Sequence, residues 1–317
     1  MANPTDRLEQ KDTPLFSVCI PTYEDAEAFS RCLESVCTQK IPGLEIIVSD
    51  DSRNNTITKV VTERNDTRIR YRRNTPGLGA PANWNAALMM STGARITLLH
   101  QDDWYRTPNA LAEVNAIMDE RHADVLISGR AIYGANGCQG EYRLPGNAVQ
   151  RFLSGFPASS LVINRLGHPA VFFLSGQYRS LAYDKNLLYF SDTDYYYRLL
   201  KAAKNAEVYP KPIVAISWQN QTRLSSMYIN EPQKTLAELF FLHEKYIFTS
   251  IERGTSAARL CASHVRHWYR SFNIVLKTLR QGLPRRAFIA ACFSIPLFLP
   301  FMAYRLVYRL IKKKGWG

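Results

Sequence analysis

Short apolar runs alternate with helix-length segments through the first 130 residues, and two of these runs end in a pair of aspartates. Phe16 to Ile20, Glu45 to Val48, Ile69 to Arg72, Ile96 to Leu99 and Val125 to Ile127 read as strands. Helices are expected over Ala26 to Gln39, Ile57 to Arg64, Asn83 to Met90 and Asn109 to Arg121, the first with Phe29, Leu33 and Val36 on one face. Strands alternating with helices predict an α/β fold with a mostly parallel central sheet flanked by helices. The acid pairs, in Val48-Ser49-Asp50-Asp51-Ser52 and His100-Gln101-Asp102-Asp103-Trp104, then fall where strands give way to loops, the edge at which open α/β sheets bind ligands. Neighbouring carboxylates repel, and stay ionised only beside a cation or hydrogen-bond donors. A divalent metal holding a phosphorylated ligand is the economical expectation, because hard cations prefer carboxylate oxygens.

The 317-residue chain has room for one large domain and an appendage, and its formal charge of +13 needs to be located before it is interpreted. No Asp or Glu follows Glu252, and 13 of the 40 Lys and Arg lie beyond it, leaving 27 basic against 27 acidic residues in the body. A neutral body with a basic tail argues against a nucleic-acid partner, whose recognition spreads basic residues over the folded domain. Residues 1–14 are polar and lack a signal peptide's apolar core, so the body of the chain is expected in the cytoplasm. The six scattered cysteines include no CxxC pair and read as free thiols in a reducing compartment. His264 and His267 form an HxxH without a matching partner and read as part of a basic helix face.

Three further stretches carry chemistry-bearing residues. Pro21-Thr22-Tyr23 closes the first strand, where proline favours an extended turn and a hydroxyl and a ring are offered beside a ligand. Gly77-Leu78-Gly79-Ala80-Pro81-Ala82-Asn83 looks like a dinucleotide loop, but it follows the third strand and lacks the acid that this fingerprint expects downstream, so a turn into a helix suffices. Phe190-Ser191-Asp192-Thr193-Asp194-Tyr195-Tyr196-Tyr197-Arg198 is rich in helix-capping residues and also holds a candidate general base, with Arg198 one turn beyond Asp194. The irregular middle, residues 130–230, is expected to carry long loops and a short helix starting near Asp194.

Taken in order, Ser17-Val18-Cys19-Ile20-Pro21-Thr22-Tyr23, Ser49-Asp50-Asp51-Ser52, Asn83-Trp84-Asn85, His100-Gln101-Asp102-Asp103 and Asp192-Thr193-Asp194 with Arg198 resemble the family 2 glycosyltransferases, which have the GT-A fold. The resemblance covers residues 15 to 225. It implies a metal-dependent, inverting transfer of a sugar from a UDP-, dTDP- or GDP-sugar to a hydroxyl of a lipid-linked or other saccharide acceptor. By position, Pro21, Thr22, Tyr23, Asp50, Asn83 and Asp102 would bind the nucleotide, with Asp50 facing the base. Asp103 would bind Mn²⁺ or Mg²⁺, and Asp192 would be the catalytic base. Arg223, in Trp218 to Ser225, falls where such enzymes have a loop closing on the diphosphate. His100-Gln101 replace the usual leading acid of the metal-binding stretch, and Ser191 replaces the usual Glu before the base. A nucleotidyltransferase would also pair acids around a metal, but the Gly-rich basic loop needed for a triphosphate is missing. A noncatalytic membrane scaffold with a degenerate transferase domain is the other alternative.

This reading divides the chain into a polar segment (1–14), a GT-A catalytic domain (15–230), a helical extension (231–284) and a basic, apolar tail (285–317). Ala287 to Tyr304 is an 18-residue stretch without a charge, flanked by Arg285-Arg286 and by Arg305, Arg309 and Lys312-Lys313-Lys314. It is short for a span, Pro296 and Pro300 disfavour a straight helix, and basic residues on both flanks suit an element lying on or dipping into one anionic leaflet. The tail is therefore expected to hold the enzyme at the cytoplasmic face of the membrane, with packing against the domain or a homo-oligomer contact as the alternative.

Overall fold

The structure, a computed structural model, describes residues 13–155, 164–218, 238, 241–242 and 245–246. Two compact units divide the chain, Met1–Ser154 with Asn164–Thr222 and Gly155–Ile163 with Arg223–Gly317. The first carries the elements discussed below, apart from Gly155 at the end of one helix. Arg223, the tail at 285–317 and nearly all of the segment at 231–284 lie outside the described residues. No helix among the described residues is long and apolar enough to cross a membrane.

The first unit is built on a nine-stranded sheet. Strand β1 (Phe16–Thr22) lies between β2 (Leu44–Asp50) and β4 (Arg95–Leu98), and β2 pairs outward with β3 (Ile69–Arg73), all in parallel. Every residue of β1 and β2 is buried, as expected of strands covered on both faces. Helix α1 (Ala26–Cys37) packs Phe29, Leu33 and Val36 into the core, and the Asp25 carboxylate caps its start by accepting from the Ala28 amide at 3.0 Å. Helices α2 (Thr56–Arg64) and α3 (Ala80–Met90) complete the first half.

Beyond β4 the sheet is mixed. The order continues β4-β8-β6-β9-β5, where β5 is Trp104–Tyr105, β6 is Val125–Gly134, β8 is Phe172–Ser175 and β9 is Ala206–Ser217. β8 runs antiparallel to both β4 and β6, and β9 runs parallel to β6 and antiparallel to β5. β7 (Gly137–Tyr142) folds back on β6 as a hairpin. The expected sheet with flanking helices is present, but parallel pairing is confined to β3-β2-β1-β4 and to β6-β9. The middle of the chain is also more regular than its composition suggests. Pro210 and Pro212 lie inside β9, where register shifts opposite Ser128 to Arg130 absorb the missing donors. Among the described residues of this unit, further helices are α4 (Ala110–Glu120), α5 (Ala148–Gly155) and α6 (Ser191–Ala202), the last starting three residues before Asp194.

Candidate active site

The topology gathers the site. Because β8 is antiparallel to β4, with Thr97 opposite Phe173, the chain leaving β4 meets the chain entering β8. His100 and Asp103 are on the first of these segments and His168 is on the second, directly before a short 3-10 turn, Pro169–Val171. One ligand atom from each of His100, Asp103 and His168 lies within 4.8 Å of the others. Asp103 is fully buried, and His168 Nδ1 is 2.8 Å from its Oδ2. Neither Asp103 oxygen nor His168 Nδ1 has another hydrogen-bond partner, so the two groups answer each other as an ion pair. Burial pushes the His168 pKa down, but the charge of Asp103 and the hydrogen bond to it, helped by Asp192 and Asp102, outweigh this and hold it above the ordinary value.

Several contacts fix this cluster. Asp103 N donates to the His100 carbonyl at 3.0 Å, closing the loop, and Cys32 Sγ approaches the same carbonyl at 3.6 Å. The His100 ring lies against Trp84 and His168, with centroids 5.1 and 4.6 Å away. Gly167 has φ +115, a left-handed conformation that excludes most side chains, and a Cβ there would meet Arg130 at 2.4 Å. The Asn164 amide grips both backbone groups of Gly167, at 2.6 and 2.9 Å. Tyr196, on α6, donates its hydroxyl to the Gly167 carbonyl at 3.2 Å. His168 is thus pinned on one side by Gly167 and on the other by Pro169.

A buried carboxylate with two unsatisfied oxygens and an imidazole nitrogen aimed at it form a donor set that fits a divalent cation. Among the described residues, the group that meets is His100, Asp103 and His168, without Asp102.

Asp192 stands in the first turn of α6. Its Oδ1 is buried without a hydrogen-bond partner, and burial raises its pKa to about 6, against the opposing charge of His168. The helix N-terminus would favour the anion, but desolvation wins. Two residues on, the fully buried Asp194 is held by Arg198 through contacts of 2.9 and 2.7 Å, as the i,i+4 spacing predicts. Ser191 donates to the Leu188 carbonyl at 2.9 Å, closing the turn that precedes Asp192. Tyr195 stacks on Tyr183 at 4.0 Å, and the Asn85 amide clamps Tyr183 by both backbone groups, at 2.9 and 2.7 Å. Asn85 therefore braces the segment leading to Asp192.

The first acid pair is held by donors of its own chain. Asp50 is fully buried, and its carboxylate accepts from Thr22 Oγ1 (3.1 Å), the Ser52 amide (2.9 Å) and the Tyr71 hydroxyl (2.8 Å). Asp51 accepts from Asn74 Nδ2 (2.8 Å) and from the Leu78 and Gly79 amides (3.0 and 2.8 Å). Protein donors satisfy the two charges, so no cation is needed there, and the glycine loop cradles a carboxylate of its own chain. Asp50 orders the turn that ends β2. Asn83 is likewise turned inward, donating to the Thr22 carbonyl at 3.3 Å and accepting from Asn74 at 3.1 Å. Pro21 and Thr22 are buried and Tyr23 is half exposed, so the ring of Tyr23 is what this segment offers a ligand. Arg53 lies 5.9 Å from that ring's centroid. A surface cavity of about 480 Å³ between α2 and β3, lined by Thr58, Lys59, Tyr71 and Arg73, backs onto Asp50 through Tyr71 and contains none of these acids.

His168 was not among the residues expected from sequence. Its signal is local: a His-Pro pair immediately before the apolar run Ala170 to Leu174, which reads as a strand entering the same sheet edge.

Comparison with known proteins agrees with this architecture. The family model described as "Glycosyl transferase family 2" matches residues 17–182, just over half of the chain. The Escherichia coli (strain K12) protein named "Putative colanic acid biosynthesis glycosyl transferase WcaA" is 28% identical over 194 residues, 60% of this chain and 67% of that one. The Staphylococcus aureus poly(ribitol-phosphate) beta-N-acetylglucosaminyltransferase TarS is 31% identical over 128 residues, but these span 38% of this chain and 22% of TarS. The chain thus covers two thirds of one curated relative and less than a third of others. Among solved structures, S. aureus TarS 1–349 in complex with UDP superposes with a TM-score of 0.57 at 17% identity, covering 89% of this chain and 81% of that one. A mannosyltransferase from Pyrobaculum calidifontis, in complex with GDP-Man and Mn2+, gives 0.55 at 14% identity, covering 95% and 87%. Both likenesses show the GT-A fold.

Proposed function

This chain belongs to glycosyl transferase family 2, and from that membership we propose that it is an inverting transferase moving a sugar from a nucleotide-sugar donor to an acceptor hydroxyl. The observation that carries the proposal is Asp192: a carboxylate with one buried, unpartnered oxygen and a pKa raised to about 6, on the helix that also braces the His168 segment through Tyr196. Such a group is ionised at neutral pH yet basic enough to take a proton, the property a general base needs. In the proposed reaction, an acceptor hydroxyl oxygen attacks the anomeric carbon and gives its proton to Asp192. The bond from that carbon to the diphosphate breaks, the electron pair leaves with the nucleoside diphosphate, and one displacement inverts the configuration.

Asp103 and His168 would hold a divalent cation, Mn²⁺ or Mg²⁺, with His100 in reach. A cation there supplies Lewis-acid neutralisation of charge on the departing diphosphate, worth several kcal/mol. Tyr23 would present its exposed ring to the base, and Gln101 would hold it in place. Asp50, Asp51, Asn74 and Asn83 contribute indirectly by ordering the turns around that ring. Arg223, outside the described residues, is proposed as a diphosphate contact on its sequence position alone. UDP and GDP donors are supported by what the two solved neighbours hold. The membrane-held saccharide acceptor and the cytoplasmic membrane face rest on the basic, apolar tail sequence. Calorimetry with UDP, dTDP and GDP in the presence of Mn²⁺ tests the donor site: saturable binding of one of them is expected, and absence of binding by all three overturns the proposal.

A further inference from the structure

We propose that Arg130 binds an oxyanion carried by the acceptor, a phosphoryl or carboxylate group, on the side of the reaction centre away from the nucleotide. The proposal rests on the transferase reading for calling this ligand an acceptor, and on the surroundings of the arginine for the anion. Arg130 is half-buried in β6, and among the described residues no carboxylate comes within ion-pair distance of it. Arg106 and Arg143, by contrast, both pair with Glu141. Of its five N–H donors, the Arg130 guanidinium spends one on a long hydrogen bond, from Nη1 to the Leu166 carbonyl at 3.4 Å. Its central carbon lies 4.9 Å from the centroid of the Tyr142 ring. Desolvation pushes the Arg130 pKa below its ordinary value, and a charge withdrawn from water without a counter-charge is unfavourable. An anionic ligand supplies that counter-charge.

The location points to the acceptor and not to the donor. A Cβ at Gly167 would lie 2.4 Å from Arg130 Nη1, so the guanidinium rests against the residue immediately before His168. Gly167 is also tied to Tyr196, on the helix that carries Asp192. Across the sheet the order is β1-β4-β8-β6, with Tyr23 after β1, Asp103 after β4 and His168 before β8. A nucleoside diphosphate reaching from Tyr23 to Asp103 covers the first of these strand spacings, whereas β6 lies three spacings, about 14 Å, from β1. The Tyr142 ring is 56% exposed, so the guanidinium beside it borders solvent. A guanidinium supported by a ring keeps its in-plane N–H fork for bidentate contact with phosphate or carboxylate. The chain around it is one-signed as well. No Asp or Glu occurs between Glu141 and Asp184, a span that holds Arg143, Arg151, Arg165 and Arg179.

The test uses the full-length chain and two probes, isopentenyl diphosphate for a phosphoryl group and methyl glucuronide for a carboxylate. Calorimetry is run in EDTA, so that no metal draws the diphosphate to Asp103. Saturable binding of one probe is expected, and its identity assigns the acceptor's anion. Arg130→Gln should lower that affinity by at least about tenfold, the loss of a charge-assisted contact, and Arg130→Lys should fall in between because it keeps the charge without the fork. Nucleoside diphosphate affinity, measured separately with Mn²⁺, should stay within about twofold in Arg130→Gln. Binding of neither probe, equal binding by wild type and Arg130→Gln, or loss of nucleotide affinity in that variant overturns the proposal. Phenylglyoxal labelling of wild-type protein, read by peptide mass spectrometry, decides the matter even if a variant fails to fold. The bound probe should protect Arg130, and undiminished labelling contradicts the assignment. Donor hydrolysis by the wild-type protein reads the transferase proposal separately. Hydrolysis without probe binding removes this inference alone, and probe binding at Arg130 without hydrolysis counts against the transferase reading while the anion site stands.

Discussion

Gln101 holds Tyr23 by both ends of its side-chain amide: Oε1 accepts from the Tyr23 backbone N–H at 2.7 Å, and Nε2 donates to the Tyr23 carbonyl at 3.0 Å. The contact joins the end of β1 to the loop carrying Asp102 and Asp103. A carboxylate at position 101 could accept but not donate, so the amide has a function there that an acid could not perform. Gln101→Glu is expected to weaken nucleotide binding about threefold to tenfold, the loss of roughly one hydrogen bond. Mn²⁺ affinity should stay within about twofold of wild type, because Gln101 is not in the cation-binding group. Titration calorimetry with nucleotide and with metal separately checks both outcomes.

The pH dependence follows from Asp192. Its pKa is raised from 3.8 to about 6 by burial, against the charge of His168. Turnover should therefore rise as pH climbs towards 6 and level off above it, since the base works only when ionised. Stability moves the opposite way. The folded state holds this proton more tightly than the unfolded chain, so ionisation removes stability as pH rises from about 4 to 6. Asp192→Asn lacks that loss, and its melting temperature relative to wild type should increase across this window. Thermal scans at pH 4, 5, 6 and 7 check the sign.

Glu45 is buried at the opposite end of β2, where it accepts from Ser17 Oγ (2.6 Å), the Thr92 amide (2.9 Å) and Thr92 Oγ1 (3.0 Å), and pairs with Arg70. Burial alone would raise its pKa, but these donors outweigh it and hold the group below its ordinary 4.5. Its contribution is therefore present above that value and is lost as pH falls below it. Glu45→Ala leaves Ser17 and Thr92 without their acceptor and should cost about 2–3 kcal/mol at neutral pH, measured by urea denaturation, with a smaller difference in acid.

Gly167 is the backbone element on which His168 depends. Gly167→Ala introduces a Cβ at φ +115 that meets Arg130, and is expected to cost about 1–3 kcal/mol. Displacement of the adjacent imidazole should lower Mn²⁺ affinity as well. Unchanged metal affinity in a folded Gly167→Ala protein would show that His168 does not need this support.

What could be read from sequence, and what could not, divides along physical lines. The β1-α1-β2 half was legible because fully buried parallel strands are uninterrupted apolar runs and α1 repeats Phe29, Leu33 and Val36 at helical spacing. The Asp194–Arg198 pair was legible because a helix sets its own neighbours. The role of Asp50 and Asp51 was not, because their donors, Thr22, Tyr71, Asn74 and the Leu78 and Gly79 amides, come together only through strand pairing. β9 was hidden by Pro210 and Pro212, which a strand tolerates only where its register shifts. His168 was hidden for a related reason: it lies 65 positions from Asp103 in sequence and reaches it only through the antiparallel β4–β8 pairing.

The most direct test of Asp192 as the base of a single displacement needs no knowledge of the acceptor, because water can take its place. α-configured UDP-, dTDP- and GDP-sugars would be incubated with the protein and Mn²⁺, and the released sugar followed by ¹H NMR before mutarotation. The β-anomer should appear first with one of these donors, and Asp192→Asn should release no sugar while still binding the nucleotide. First appearance of the α-anomer, or undiminished release by Asp192→Asn, would contradict it.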